Sequence, residues 1–329
     1  TNTSSFGNVV SMNETGNWEL LIVQSVNTTT KVVTFTCNKT LYYSPPLQLI
    51  RVPSYNDAVV SSMLSCQLFN GITGGVLCMI VRNNLTLNAP IDVSSRGFNG
   101  AMPDYSLLSN CAYGAPSYQR YSYTSLSDSA GFKGDGIFGD PMGLFACGRG
   151  KKANGGGGGN GLNSAGGGGG NGGAGGRGGG ESDWCSYPVD CGGLGGLSLQ
   201  SYYSNGKIFM GGGGGAGTTE IVASDPTAGG NGGGIAIIIA GNITGNGQTI
   251  SSKGADVSGT TYEESAGGGG AGGTVLIYAN SISGTLNVNV SGGKGGNSGS
   301  GSNATCRGSG GGGAGGMILY NSGAAGISK

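Results

Sequence analysis

The chain has 329 residues, of which 76 are glycine, and only 10% are charged. Its 16 basic and 16 acidic residues cancel, so no basic surface is expected to attract nucleic acid. The absence of histidine excludes Ser-His-Asp and Cys-His catalysis and His-ligated metals.

Residues 1–73 contain few glycines and are predicted to form an N-terminal β segment or cap. Short runs rich in β-branched and apolar residues predict strands at 19–24, 31–37 and 47–52. The chain starts at Thr1 rather than Met, which indicates a processed mature product.

Residues 74–329 are predicted to form a Gly-rich β-repeat domain. Four segments align, and each opens with a Gly pair followed by an apolar strand; they cover 74–100, 233–259, 272–299 and 315–322. In the third segment Leu286, Val288 and Val290 are apolar at every second position, which is typical of a half-buried strand. Because such units bury a face only by stacking on their neighbours, we predict a parallel β-solenoid. An antiparallel β-sandwich stays open as the alternative.

Two stretches inside this domain, 101–150 and 181–210, lack the repeat and are predicted to be loops tied by disulfides. They are rich in tyrosine and serine, residues that build adaptable binding surfaces. Packing within the loops explains the same composition equally well. The possible binding surface consists of Tyr118, Tyr121, Tyr123, Tyr202 and Tyr203.

Eight scattered cysteines without any C-x-x-C pair favour four disulfides in an oxidising compartment over a zinc site. The disulfide candidates are Cys37, Cys66, Cys78, Cys111, Cys147, Cys185, Cys191 and Cys306. Eight N-x-[ST] sequons support the same secretory route. The predicted N-glycosylation sites are Asn2, Asn13, Asn27, Asn38, Asn84, Asn242, Asn289 and Asn303. We therefore expect a secreted, extracellular protein without a membrane span.

Glycine tracts occur at 155–180, 211–215, 267–270 and 310–313. A flexible linker is the simple interpretation, since Gly-rich chains behave as random coils. Three tracts, however, stand at equivalent places in the repeat, immediately before a strand, and linkers have no reason to keep that register. We therefore predict ordered, polyglycine-II-like layers.

The pattern over 211–322, GGGGAGG followed by strand, turn, strand and GGKGGN, resembles the Gly-rich β-repeats of large bacterial and eukaryotic surface proteins. Its poly-Gly layers are similar to those of the polyglycine-II proteins, which include phage tail-tip adhesins and a springtail antifreeze protein. The resemblance lies in the pattern alone, and it implies no site residue.

Carboxylate chemistry is what remains for an enzyme, but no two acidic residues alternate along a predicted strand. The candidates are Asp135 and Asp140, Asp183 and Asp190, and Glu263 and Glu264, all interpreted as turn or solvent residues. The basic run at 148–152, GRGKK, is interpreted as a solvated loop. No catalytic residue, metal site or cofactor is predicted.

The fourth repeat stops after its first strand, and nothing that usually blocks a sheet edge follows it. We therefore expect an end-to-end polymer, with the N- and C-terminal segments of neighbouring copies in contact. The predicted partners are copies of the chain itself, N-linked glycans and extracellular polysaccharide. The alternative is a cell-surface or glycan-binding adhesin that uses the Tyr-rich loops.

Overall fold

The computed structural model describes residues 2–102, 120–123, 130–140, 143–161, 163–180, 191–218, 227–259, 264–298, 307–321 and 327–328. Its secondary structure is almost entirely β. The strands are β1 (Val23–Asn27), β2 (Val32–Phe35), β3 (Ser54–Tyr55), β4 (Ala58–Val60), β5 (Val76–Leu87), β6 (Ile91–Asp92), β7 (Ile235–Thr244), β8 (Thr249–Ser251), β9 (Thr274–Ser283), β10 (Leu286–Asn289), β11 (Met317–Tyr320) and β12 (Ile327–Ser328). A single turn of helix, α1, spans Gln200–Tyr203.

Two parallel sheets form the apolar part of the molecule. The larger has the order β11-β9-β7-β5, with β3 and β4 both pairing with β5. The smaller has the order β12-β10-β8-β6. Successive repeats therefore place their first strand in the larger sheet and their second strand in the smaller one. The prediction that the fourth repeat lacks a second strand is wrong, because the short β12 pairs in parallel with β10. The pairing in both sheets is parallel throughout, so the antiparallel sandwich alternative is wrong.

The core lies between the two sheets. Alternate residues of β5, β7 and β9 point toward β6, β8 and β10, as the period-2 pattern of a strand requires. Leu286 and Val288 are 0% and 4% exposed, and Val290 packs against the same core, as their alternation predicted. The opposite face of the larger sheet is covered by Ile208 and Trp18.

The glycine tracts lie outside the strands and form extended segments that are hydrogen-bonded to one another. We call the extended segments glycine rods; they are 97–101, 131–136, 154–159, 165–171, 173–179, 193–199, 211–216, 229–234, 252–255, 266–273, 290–297 and 308–316. Rods 229–234, 266–273 and 308–316 lead directly into β7, β9 and β11. The 155–180 tract belongs to this set, because rod 165–171 donates to and accepts from neighbouring rods along its length.

Rod 211–216 shows how the rods are joined. The N–H groups of Gly211 and Gly214 both donate to rod 229–234, to Gly233 and Gly230. Contacts thus repeat every three residues, the period of an extended threefold helix. The other N–H groups of this rod donate to 166–171 and 131–136, and its carbonyls accept from 97–101, 154–159 and 267–273. One rod is therefore surrounded by six, and all its backbone polar groups are bonded.

Close packing of the backbones explains why these residues are glycine. A Cβ atom on Gly212 would lie 1.9 Å from the carbonyl oxygen of Asn154, and one on Gly215 would lie 2.0 Å from that of Gly157. Neither glycine has a positive φ. The rods thus need glycine for the missing side chain and not for unusual backbone angles.

The N-terminal segment differs from its prediction. Strand β1 begins four residues later and ends three residues later than predicted, β2 lies within its predicted range, and no strand forms at 47–52. Leu47 and Leu49 are 61% and 64% exposed, so this run has no sheet to join. Pro46 and Pro53 flank it and remove backbone donors that a ladder would need.

Candidate functional site

One end of both sheets is open. Within the described residues β11 pairs with no strand other than β9, so it is the last strand of the larger sheet at this end. In register, Ile318 stands beside Val275, which stands beside Ala236. Val275 and Ala236 are 0% exposed, whereas Ile318 is only half-buried, because no further strand in the described part of the chain pairs beside it. The core itself is thus open at the β11 end.

A shallow aromatic groove of about 350 Å³ lies beside this edge. Trp18 lines it from the N-terminal segment, and its Nε1–H donates to the carbonyl oxygen of Gly206 at 3.0 Å. Tyr278 and Tyr320 line the same groove and are 46% and 42% exposed. The groove offers flat apolar surface with hydroxyl groups and no charged side chain.

The opposite end of the sheets is formed by β3 and β4. Both pair with β5 in parallel, and Tyr55 and Val59 are 48% and 61% exposed. On the smaller sheet, Leu64 makes a parallel bridge to Ile91 at the same end. The two ends of the sheets therefore present parallel edges that run in the same direction.

The hairpin formed by β1 and β2 pairs with no other strand in the described part of the chain. Its apolar side chains face solvent: Val26 is 60% and Val32 is 53% exposed, and Ile22 just before it is 71% exposed. An isolated two-stranded hairpin is marginally stable in water. This exposed hairpin is a second surface on which no other described strand pairs.

The tyrosines predicted to form one binding surface lie in different regions, and some of them are buried. Tyr203 is 7% exposed, and burial raises the pKa of its hydroxyl, which contacts Asn171 and Thr274 at 2.7 Å each. Tyr202 packs partly buried against the same cluster. Tyr121 and Tyr123 lie in a different region, against Arg149 and Arg120, and Tyr118 falls outside the described residues.

The basic run at 148–152 is buried, so its interpretation as a solvated loop is wrong. Arg149, Lys151 and Lys152 are 2%, 8% and 7% exposed. Lys152 Nζ lies 3.7 Å from carboxylate oxygens of both Asp135 and Asp140. The backbone of this run forms hydrogen bonds with rods 131–136, 154–159 and 193–199. These contacts bury the run although it is charged.

The structure places the predicted acidic residues in different surroundings. Asp140 accepts hydrogen bonds from the N–H groups of Leu144 and Phe145, a turn role that matches the prediction. Glu264 is fully buried, which differs from the predicted solvent position. Asp183, Asp190 and Glu263 lie outside the described residues. Among the residues that are described, no group of three His, Cys, Asp or Glu could hold a metal ion.

The cysteines with described positions differ in their surroundings. Cys66 packs against the core between the sheets, whereas Cys78 belongs to the cluster on the other face of the larger sheet. Cys37 is exposed. No disulfide joins these three to one another, and their pairing with other cysteines stays a prediction. Cys147 and Cys191 are buried, and Cys111, Cys185 and Cys306 lie outside the described part.

The sequon asparagines fall into two classes. Asn2, Asn13, Asn27 and Asn38 lie exposed in the N-terminal segment. Asn84 and Asn242 face each other on β5 and β7, and Asn242 Nδ2 donates to Asn84 Oδ1 at 3.2 Å. Asn289 is exposed on β10, and Asn303 is not among the described residues.

Comparison with known proteins gives no relative: no family model, no curated protein and no solved structure matches the chain. In the portion that is described, no helix is long and apolar enough to cross a membrane.

Proposed function

We propose that this protein is a secreted, N-glycosylated structural subunit that assembles head to tail into an extracellular filament or matrix. The observation that carries the proposal is the pair of open parallel edges, β11 at one end of the larger sheet and β3 with β4 at the other. Because both edges run in the same direction, a second copy placed end to end would continue the sheet. Contacts between unlike ends generate filaments when the rotation does not close.

The proposed architecture is a parallel β-solenoid whose turns continue into polyglycine-II layers. The strict alternation of strands between two parallel sheets supports the solenoid. The three-residue period of the rods, each interior rod bonded to six others, supports the polyglycine-II layers. In such a stack the half-buried Ile318 would become covered as Val275 is covered within the chain.

The composition agrees with an assembling protein. The formal net charge is zero, so two copies meet without net repulsion. Some of the exposed apolar residues, among them Val26 and Val32 on the hairpin and Val59 on β4, lie where another copy would bury them.

Electron microscopy of native, unreduced protein at near-neutral pH tests the proposal. We expect regular filaments with a subunit mass near 32.2 kDa plus glycan. Ile318→Glu places a charge at the open core end and is expected to abolish them, as is deletion of residues 320–329. Val10→Glu is the matched control, because Val10 is fully exposed and should tolerate the same change. Wild-type protein that stays as discrete particles would contradict the proposal.

A glycan-binding adhesin is the second candidate, and the groove of Trp18, Tyr278 and Tyr320 favours it, because aromatic faces stack on sugar rings. Glycan-array binding that is lost in Tyr278→Ala, in a protein that remains monomeric, would support this alternative over the filament.

A further inference from the structure

Rod 308–316 lies at the margin of the glycine bundle, and the burial of its residues follows a three-residue period. Gly308, Gly311 and Ala314 are buried, whereas the residues that follow each of them are exposed. The exposed positions are Ser309, Gly312 and Gly315. One of the three faces of this rod is therefore turned to solvent along its whole length.

The hydrogen bonds show the same period. This rod donates to 290–296 and to 163–169, and it accepts from 266–272 and from 172–179. It thus has four neighbours where an interior rod such as 211–216 has six. Within the described residues no group pairs with the N–H of residues 309, 312 and 315 or with the carbonyl of residues 310, 313 and 316. One row of donors and one row of acceptors remain open.

The open face carries almost no side chains. A Cβ on Gly315 would meet nothing within 4 Å, and the nearest atom to one on Gly312 would be 3.9 Å away. Other marginal rods carry side chains at their outward positions, Ala174 and Arg177 on one and Lys294 and Asn297 on another. Packing within the chain therefore gives no reason for glycine at 312 and 315, although glycine there loses more entropy on folding than alanine would.

We propose that the bare face of rod 308–316 binds glycine rods of a second copy of this chain. The inference rests on the proposed assembly and names the contact that makes it. Only an extended backbone without side chains can approach as closely as the interior rods approach one another, where a Cβ would fall about 2 Å from a neighbouring carbonyl oxygen. This chain carries such rods itself.

The hydrogen-bond pattern fixes how the partner must approach. Around rod 211–216, the three neighbours that accept its N–H groups differ from the three that donate to its carbonyls. The open donor and acceptor rows of rod 308–316 therefore require two different incoming rods. The donors of one row are roughly 9 Å apart, at three residues of 3.1 Å each. A threefold glycine rod of a second copy presents carbonyls at that same spacing.

The bare face is continuous with the open edge of the sheet. Rod 308–316 leads directly into Met317, the first residue of β11. A second copy that extends the larger sheet at β11 would thus bring its own glycine rods beside residues 309–316. Strand edge and bare rod form one uninterrupted surface, which favours a second copy over an unrelated partner.

The double variant Gly312→Val/Gly315→Val tests the contact, because its side chains enter open space in the single chain and block a close approach in the assembly. We expect filaments to be lost, with a melting temperature of the isolated subunit within about 2 °C of wild type. Ala174→Val is the control, since it enlarges an outward residue on a rod whose face is already blocked; its filaments should persist. Amide hydrogen exchange adds a direct readout: in wild-type filaments, residues 309, 312 and 315 should exchange at least tenfold more slowly than in dispersed subunits.

Filaments of the double variant that match wild type, or unprotected amides at 309, 312 and 315 in wild-type filaments, would overturn this contact and leave the filament proposal standing. Failure of the wild-type protein to assemble at all would overturn both.

Discussion

The Nζ atom of Lys133 lies 3.9 Å from the centre of the Phe6 ring, in a site where the side chain is 4% exposed. No hydrogen-bond partner for this amine lies within the described residues. Burial, and after it the nearby positive charge of Lys152, lower the pKa of Lys133 to about 7, while Cys147 and Asp140 oppose the shift. A buried amine without a partner destabilises the folded state whenever it is charged.

We expect Lys133→Met to raise the free energy of unfolding at pH 7 by roughly 2–4 kcal/mol, because it removes the cost of desolvating the amine. In the wild type the folded pKa is below the ordinary lysine value of 10.5, so the unfolded chain binds more protons between pH 7 and 10.5. Stability should therefore rise with pH across that window and stay level below it. Denaturant titrations from pH 6 to 10 measure both effects.

The exposed Lys294 gives the control for this prediction. Lys294→Met should leave the pH dependence as it is in the wild type, since that side chain lies at the surface. A Lys133→Met protein that still gains stability between pH 7 and 10 as steeply as wild type would contradict the assignment.

Two glycines on one rod should respond in opposite directions to the same change. A Cβ on Gly313 would lie 1.9 Å from the carbonyl oxygen of Gly270, whereas one on Gly315 would meet nothing. We expect Gly313→Ala to cost about 3 kcal/mol or more, because the rods must separate. Gly315→Ala should gain roughly 0.4–1 kcal/mol by reducing the entropy of the unfolded chain. Guanidinium unfolding of the dispersed subunit measures both, and equal effects would argue against ordered rods.

The hydroxyl of Tyr203 joins the glycine rods to the larger sheet. It donates to Asn171 Oδ1 and contacts Thr274 Oγ1, both at 2.7 Å, and Thr274 Oγ1 in turn donates to the carbonyl oxygen of Phe209 at 2.6 Å. Tyr203→Phe leaves these buried partners without the hydroxyl, and we expect a loss of about 1–3 kcal/mol in thermal or chemical unfolding. Tyr202→Phe, on a partly buried neighbour, should lose less than half of that. Equal losses would show that the network does not stabilise the junction.

Glycan occupancy should follow the two classes of sequon. Asn84 and Asn242 are opposite each other on neighbouring parallel strands, which are about 4.8 Å apart, and their side-chain amides are hydrogen-bonded in a row with Asp57 and Ser281. Two glycans cannot leave adjacent strands at that spacing without breaking the row. We expect glycopeptide mass spectrometry of the secreted protein to find glycans at Asn27 or Asn38 and never on both Asn84 and Asn242 of one molecule. Double occupancy at those two sites would contradict the observed pairing.

The repeat units could be predicted well because their signal is local. The Gly pairs that open the repeats at 233 and 272 indicated where β7 and β9 begin, because each strand starts directly after its pair. The register of the tracts at 267–270 and 310–313, just before β9 and β11, indicated order where composition alone suggests a linker. The tract at 211–215 was wrongly placed before a strand, because rod 229–234 is the one that leads into β7.

Other features could not be predicted because they depend on contacts far apart in sequence. The burial of Lys133 and of residues 149–152 depends on rods that surround them, and no local pattern signals it. The burial of Tyr203 arises likewise from its contact with Asn171, 32 positions away, and with Thr274, 71 positions away. The missing strand at 47–52 had suitable residues but no neighbouring edge.

The packing of one glycine rod among six others has a calorimetric consequence. Unfolding this bundle exposes mainly peptide groups, and exposure of polar surface lowers the heat capacity, whereas exposure of apolar surface raises it. The heat-capacity increment of unfolding per residue should therefore fall well below the usual 12–15 cal/mol/K. A small increment flattens the dependence of stability on temperature, so the bundle would keep its stability toward both cold and heat.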